Sequence, residues 1–277
     1  MRRLGPRAVS SALVHVLFIT MTLLLLFPLY WMMSSSLKDK SEIFVKPPVW
    51  IPQVLQWNNF TELFTSYGYG RILWNSIFAA GMYTLGALTF LTMAGFAFAK
   101  YTFRGKNILF LFVLASLMIP IETSVIPLYM MYREIGLVNN LWGVILPGMA
   151  KAFGVFFMRQ YCADFHDEIL EAGRIDGCSE LGMFARLVVP NLKPAFASLG
   201  IIFFVEQWNN FFWPSIVLRS MDQMTISVAI KALDSGVRTP YHLVMSASTL
   251  SVLPLIAVVL IFQKPFISGL MDGAVKG

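Results

Sequence analysis

Between residues 159 and 194 the chain gathers its densest charge, with Asp164, Asp167, Glu168, Glu171, Asp176 and Glu180 set against Arg159, Arg174, Arg186 and Lys193. The segment is built for charge pairing rather than covalent or metal chemistry. Cys162 and Cys178 stand sixteen positions apart without Cys/His ligand spacing, so two free thiols are expected. His15, His166 and His242 are scattered over three regions, and a membrane-embedded enzyme would need its acid and base groups at one depth. A second polar set, Lys151, Glu206, Gln207, Asn209 and Asn210, interrupts otherwise apolar runs. Glu206 and Asn210 lie at i, i+4 and share a helical face that suits a water-filled cavity, with the aromatic rings of Trp208 and Trp213 nearby in sequence. The competing reading is structural: Lys151 and Glu206 neutralise one another, and Asn209 bonds a neighbouring helix.

The elements that must position these groups follow from composition. Of 277 residues, 57% are hydrophobic and 13% charged, against roughly 45–50% and about 25% in a soluble domain; mean hydropathy is +0.68. The net charge of +6 is spread over the loops instead of forming a stripe, which excludes nucleic acid as a partner and leaves membrane lipid. A hydrocarbon core about 30 Å thick calls for roughly 20 apolar residues per helix. Six runs qualify: 12–33, 72–99, 107–132, 141–158, 195–218 and 243–263. Backbone pairing in lipid demands helices or a closed barrel, and period-two alternation is absent, so the fold class is an all-α integral membrane protein with six transmembrane helices. The first run exceeds a signal-peptide core and ends in Tyr30 and Trp31, which favours a retained helix.

Of the 21 Lys and Arg, 12 fall in residues 1–11, 100–106, 159–194 and 264–277, against 8 in the alternate set 34–71, 133–140 and 219–242. The short KYTFRGK loop at 100–106 sharpens that bias, and both termini are expected in the cytoplasm. Residues 34–71 then form an external, ordered cap with an extended proline stretch, and 72–263 form the core of one membrane domain. Glu122, between Pro120 and Pro127, is expected at the outer interface where its helix breaks. In the 159–194 loop, Leu181, Phe184, Ala185 and Val188 make one helical stripe and Phe165, Ile169 and Ala172 a second, with Gly173 and Gly177 between and Pro190 at the end. The pattern predicts two short helices that project as a rigid knob.

The run EAGRIDGCSELGMFARLVVPNLKP at 171–194 resembles the EAA coupling motif of ABC-importer permeases, with Glu171, Ala172, Gly177 and Pro190 at the required spacing. Arg174, Ile175, Asp176 and Gly177 resemble the form seen in carbohydrate permeases. Gly173, Leu187 and Val189 depart from the consensus Ala, Ile and Leu, and His166 stands where the family usually has Pro. Blocks at 27–44, 47–52, 126–140, 208–214 and 269–277 extend the likeness to the maltose-type permeases of carbohydrate uptake. That resemblance implies a type I ABC importer permease fold in a bacterial or archaeal cytoplasmic membrane. It implies a second permease subunit in a heterodimer, two ATPase subunits and an extracytoplasmic solute-binding protein as partners.

It further implies ATPase coupling through Glu171, Ala172, Gly173, Arg174, Asp176, Gly177 and Pro190. The tail residues Gly273, Ala274, Val275, Lys276 and Gly277 would reach the ATPases. The chain has no G-x-x-x-x-G-K-[ST] run, so ATP and Mg belong to the partners and this chain binds no cofactor of its own. Lys151, Glu206, Trp208, Asn209 and Asn210 are the translocation-pathway candidates. An ion-gradient secondary carrier or channel is the alternative that span count alone allows; it gains nothing from a cytoplasmic ATPase dock, and no paired inverted halves are evident.

Overall fold

The computed structural model describes residues 6–234 and 239–274, with side chains described at 11, 13–234 and 239–263. Of the expected tail contacts, Val275, Lys276 and Gly277 lie outside the described residues, as do the side chains of Gly273 and Ala274. The described chain is helical, with no strand: α1 (Pro6–Ser36), α2 (Asn58–Ser66), α3 (Tyr69–Lys100), α4 (Lys106–Ser116), α5 (Val125–Glu134), α6 (Leu141–Ile145), α7 (Ala152–Ala163), α8 (Asp167–Ile175), α9 (Glu180–Met183), α10 (Val189–Asn191), α11 (Lys193–Asn209), α12 (Phe212–Val217), α13 (Ile226–Leu233) and α14 (Tyr241–Ala274). Three stretches are long and apolar enough to cross a membrane unbroken, in α1, α3 and α14.

The run at 107–132 breaks ahead of Glu122, where the sequence places a break, and the run at 141–158, expected as one continuous helix, is broken too. Lys106–Ser116 and Ile121–Glu134 meet at 94°, and Leu141–Gly148 meets Ala152–Ala163 at 48°. Pro120 lies in the first break and Pro147 in the 3-10 turn Leu146–Gly148 just ahead of the second; each lacks the amide hydrogen that a helix interior requires. The run at 195–218 also divides, at Asn210 and Phe211 between α11 and α12. Two further helices, α2 and α13, have no counterpart among the membrane-length runs because they are only 9 and 8 residues long.

Contacts group the chain into two compact units, residues 1–69 with 230–253 and residues 70–229 with 254–277. In the first, the end of α1 is pinned by long-range polar contacts. Ser36 O accepts from Asn59 Nδ2 at 2.9 Å and from Ser246 Oγ at 2.9 Å, and Trp50 O accepts from Ser34 Oγ at 2.7 Å. The first two bonds give the Ser36 carbonyl, at the C-terminus of α1, the partners that intrahelical bonding cannot supply, and the third ties the loop at Trp50 back to the helix. Lys38 is fully buried, its Nζ 3.9 Å from the Trp31 ring centroid. The segment after α1 is thus ordered, as the sequence predicts. The apolar face of α1 itself is exposed from Leu13 to Phe27.

The second unit is organised on α3, whose Ala79, Tyr83, Ala87, Leu91 and Phe96 pack with Met158, Leu199 and Phe203. Close approach sets its geometry. A Cβ on Gly95 would stand 2.7 Å from the Arg159 amide nitrogen and 2.8 Å from the Met158 carbonyl carbon, so α3 and α7 touch backbone to backbone there. Small residues at crossings are how helices in lipid gain dispersion contact, since the hydrophobic effect does not drive their pairing.

Candidate functional site

The charged segment folds as two helical pieces around a glycine turn. Asp167 and Glu168 open α8, where acidic side chains complement the positive end of the helix dipole. Its other end closes with Gly177 at φ +76: the Gly177 amide donates to Arg174 O at 3.1 Å and the Cys178 amide to Gly173 O at 2.9 Å. That pair of bonds is the Schellman closure, and its left-handed residue is strained for any side chain but Gly or Asn. Ser179 Oγ then caps α9 by accepting from the Gly182 amide at 3.1 Å. A π-helical turn, Phe184–Val188, and α10 carry the chain past Pro190 to α11.

The end of α3 braces this segment at two points. Lys100 Nζ donates to Ala163 O and Phe165 O and pairs with Asp167 Oδ1 at 2.7 Å, and its side chain is only 7% exposed. The Tyr101 hydroxyl donates to Glu180, and Arg174 Nε meets the other Glu180 oxygen at 3.1 Å. The Tyr101 hydrogen bond, then that of Arg174, holds the Glu180 carboxyl below the usual carboxylate range. Burial first, and then Glu180, pushes the Tyr101 phenol up.

The inward face is only partly the one the periodicity selects: Val188 is buried and Phe165 and Phe184 pack against the core. Leu170, Gly173, Met183 and Val188 are buried, whereas Ile169, Ala172, Leu181 and Ala185 face out. Leu181 is 69% exposed and Ile175 86% exposed. Ile169, Ala172, Gly173 and Leu187 line a shallow pocket of about 380 Å³ rimmed by Glu168 and Asp176. Ile169, Ile175 and Leu181 thus stand exposed on a highly charged projection. Glu171, Arg174, Asp176 and Pro190 are all exposed on the same segment.

The second site is a cavity of about 470 Å³ at the helix breaks. Lys151 stands at the N-terminus of α7, Asn210 in the α11–α12 break, and Glu122 in the turn Ile121–Ser124 ahead of α5. Lys151, Glu206, Asn209 and Asn210 line it together, with Glu122, Gln207, Tyr83 and Trp213. Lys151 Nζ pairs with Glu206 Oε1, so the structural pairing and the shared cavity are realised at once. Trp208 does not join them. It is 2% exposed, and its ring stacks on Phe204 at 5.8 Å between centroids. Trp213 does form the wall, fixed by donation from Nε1 to Gly143 O at 2.8 Å.

Sequence reasoning missed Lys100 and Tyr101, which stand out only as loop charge at a helix end, and it missed Tyr83, which an apolar run conceals. Cys162 and Cys178 are both free thiols, one buried and one exposed. No group of His, Cys, Asp and Glu among the described residues is arranged to hold a metal ion.

The described chain combines broken apolar helices around a polar cavity with a charged segment braced on the end of α3. Residues 91–270 match the family described as binding-protein-dependent transport system inner membrane component, and the chain belongs to that family. It is 38% identical over 263 residues to the arabinooligosaccharides transport system permease protein AraQ of Bacillus subtilis (strain 168), covering 94% of each chain. It is 32% identical over 266 residues to the sn-glycerol-3-phosphate transport system permease protein UgpE of Yersinia enterocolitica, covering 93% of this chain and 95% of the relative. Among solved structures it is similar in fold, at TM-score 0.84 and 20% identity, to a chain of a bacterial ABC transporter involved in the import of the acidic polysaccharide alginate, covering 96% of this chain and 99% of that one. The resemblance read from the sequence is borne out at the level of family and fold.

Proposed function

We propose that this chain is one half of the translocation pore of an ATP-driven importer, passing a carbohydrate handed over by a solute-binding protein, and that the segment at 159–194 is its ATPase dock. The observation that carries the reading is the outward apolar pair, Ile175 and Leu181, on a charged projection tied to α3 by Lys100 and Tyr101. A stiff projection anchored on a long helix transmits a push; an unbraced loop would absorb it. Glu171 and Asp176 orient the dock by charge, and two partner ATPases use ATP and Mg.

In this reading residues 1–11, 100–106, 159–194 and 264–277 are cytoplasmic and 34–71 external, in agreement with the positive-inside bias. The tail residues Gly273, Ala274, Val275, Lys276 and Gly277 contact the ATPases, and deletion of the last five residues lowers coupled hydrolysis without lowering membrane abundance. The names of AraQ and UgpE support carbohydrate or a related polyol derivative as cargo.

The test is detergent co-purification of the tagged chain co-expressed with its neighbouring genes, with ATPase activity assayed in wild type and Glu171→Ala. Stoichiometric capture of an ATPase and a second permease, with stimulated hydrolysis lost in the mutant, supports the reading. A stable chain without ATPase partner, moving cargo along an ion gradient, defeats it.

A further inference from the structure

The three relatives differ in the charge of what their names say they move: arabinooligosaccharides are neutral, whereas glycerol phosphate and alginate are anions. Similarity therefore leaves the charge of this chain's cargo open, and the cavity at the helix breaks bears on it directly. Its lining holds two carboxylates, Glu122 and Glu206, and one ammonium, Lys151. Lys151 is already committed to Glu206, and Glu122 pairs with no cation among the described residues. The net charge of the described lining is −1, so an anion entering the cavity meets repulsion that no cation of the lining offsets. The only cation present becomes available to a phosphate or uronate by giving up its carboxylate partner.

What the cavity offers instead suits hydroxyl groups. Gln207 lines it at 5% exposure, and its Nε2 donor is buried without a hydrogen-bond partner, while its Oε1 accepts from Asn210 Nδ2 at 3.3 Å. A buried, unpaired amide donor is costly to the protein alone, and a rotation of the Gln207 side chain that exposes Nε2 to the cavity would let an incoming hydroxyl or ring oxygen satisfy it. Glu122 and Asn209 add acceptors at the rim, and the Phe211 and Phe212 rings supply apolar faces for sugar C–H groups.

We infer that this cavity receives an uncharged sugar unit and rejects phosphorylated or uronic-acid cargo. The inference rests on the pore reading above and narrows it to one substrate class. Gln207 and Glu206 are the groups that touch the sugar, and Glu122 is the one that turns anions away.

The experiment uses the assembled complex in lipid nanodiscs without its binding protein, so that selectivity upstream is removed, and saturation-transfer NMR with two probes, a neutral pentose trisaccharide and glycerol phosphate. The expected result is contact with the trisaccharide only, weakened about tenfold in Gln207→Leu. Glu122→Gln leaves the Lys151–Glu206 pair intact and reduces the discrimination against glycerol phosphate. The double variant Glu122→Gln/Glu206→Gln leaves Lys151 as the sole charge and is expected to acquire glycerol phosphate contact. Preference of the unmodified complex for glycerol phosphate overturns the inference, and so does contact with neither probe. Failure of the pore reading shows separately, as loss of ATPase co-purification.

Discussion

The hydroxyl of Tyr101, the first residue beyond α3, donates to the carboxylate of Glu180, the first residue of α9. With Lys100 on Asp167 one residue earlier, two consecutive side chains at the end of a membrane helix hold both halves of the docking segment, α8 through Asp167 and α9 through Glu180. A displacement of α8–α9 is thereby delivered to α3, whose Tyr83 also lines the polar cavity. The expected outcome of Tyr101→Phe combined with Lys100→Met is an assembled complex whose ATPase runs but whose transport per ATP falls several-fold. Proteoliposome uptake against phosphate release measures it, and an unchanged ratio would remove the braces from the coupling route.

The same contact carries a pH dependence. Tyr101 and then Arg174 depress the Glu180 carboxyl in the folded state, so its contribution is present above the unfolded carboxylate pKa and is lost as pH falls through the folded value. The brace is therefore intact at neutral pH and releases only at a pH below the range in which an ordinary Glu carboxyl protonates. Hydrogen exchange at residues 176–188 followed down the pH scale is expected to show loss of protection there. Tyr101→Phe shifts that loss to higher pH, because it removes the larger of the two depressing interactions.

Cys178 and Cys162 report on docking without mutation. Cys178 is exposed beside the shallow pocket at Ala172 and Asp176, whereas Cys162 is fully buried on α7. A membrane-impermeant maleimide is expected to label one thiol of the solubilised chain and, in oriented vesicles, to reach it only from the cytoplasmic side. Assembly with the ATPases protects it. Equal labelling of free and assembled chain would place the dock elsewhere.

Two glycines on α3 should respond in opposite ways. Gly95→Ala forces a Cβ against the α7 backbone and is expected to destabilise the chain by about 1–3 kcal/mol, the range for overpacking. At Gly81 nothing lies within 4 Å of an added Cβ, so Gly81→Ala gains helix propensity of up to about 1 kcal/mol. Thermal stability in detergent, followed by size-exclusion chromatography, separates the two.

Much of this was legible in the sequence because lipid leaves few choices: an apolar run of the right length is a helix, and the prolines flanking Glu122 announce the break there. Two kinds of feature were not. Periodicity placed Ile169, Ala172 and Leu181 on the buried face, since it assumes that apolar residues point inward, whereas all three are exposed. The break after Gly148 was hidden inside a run counted as continuous. The partnership of Lys100 with Asp167, 67 positions away, is invisible to any local window; only the fold brings such charges together.

The Lys151–Glu206 pair offers the sharpest separation of cavity from core. Lys151 is 34% exposed and Glu206 47% exposed at their side chains, a wet setting in which an ion pair is worth about 0–1 kcal/mol. Removing the lysine alone leaves Glu206 and Glu122 as unneutralised carboxylates on one cavity, whereas removing both partners leaves Glu122 only. Lys151→Ala is therefore expected to lower thermal stability more than the double variant Lys151→Ala/Glu206→Ala. The double-mutant cycle reads the coupling directly. Additive losses would mean that the two side chains act independently, and the pair would then have no part in shaping the cavity's charge.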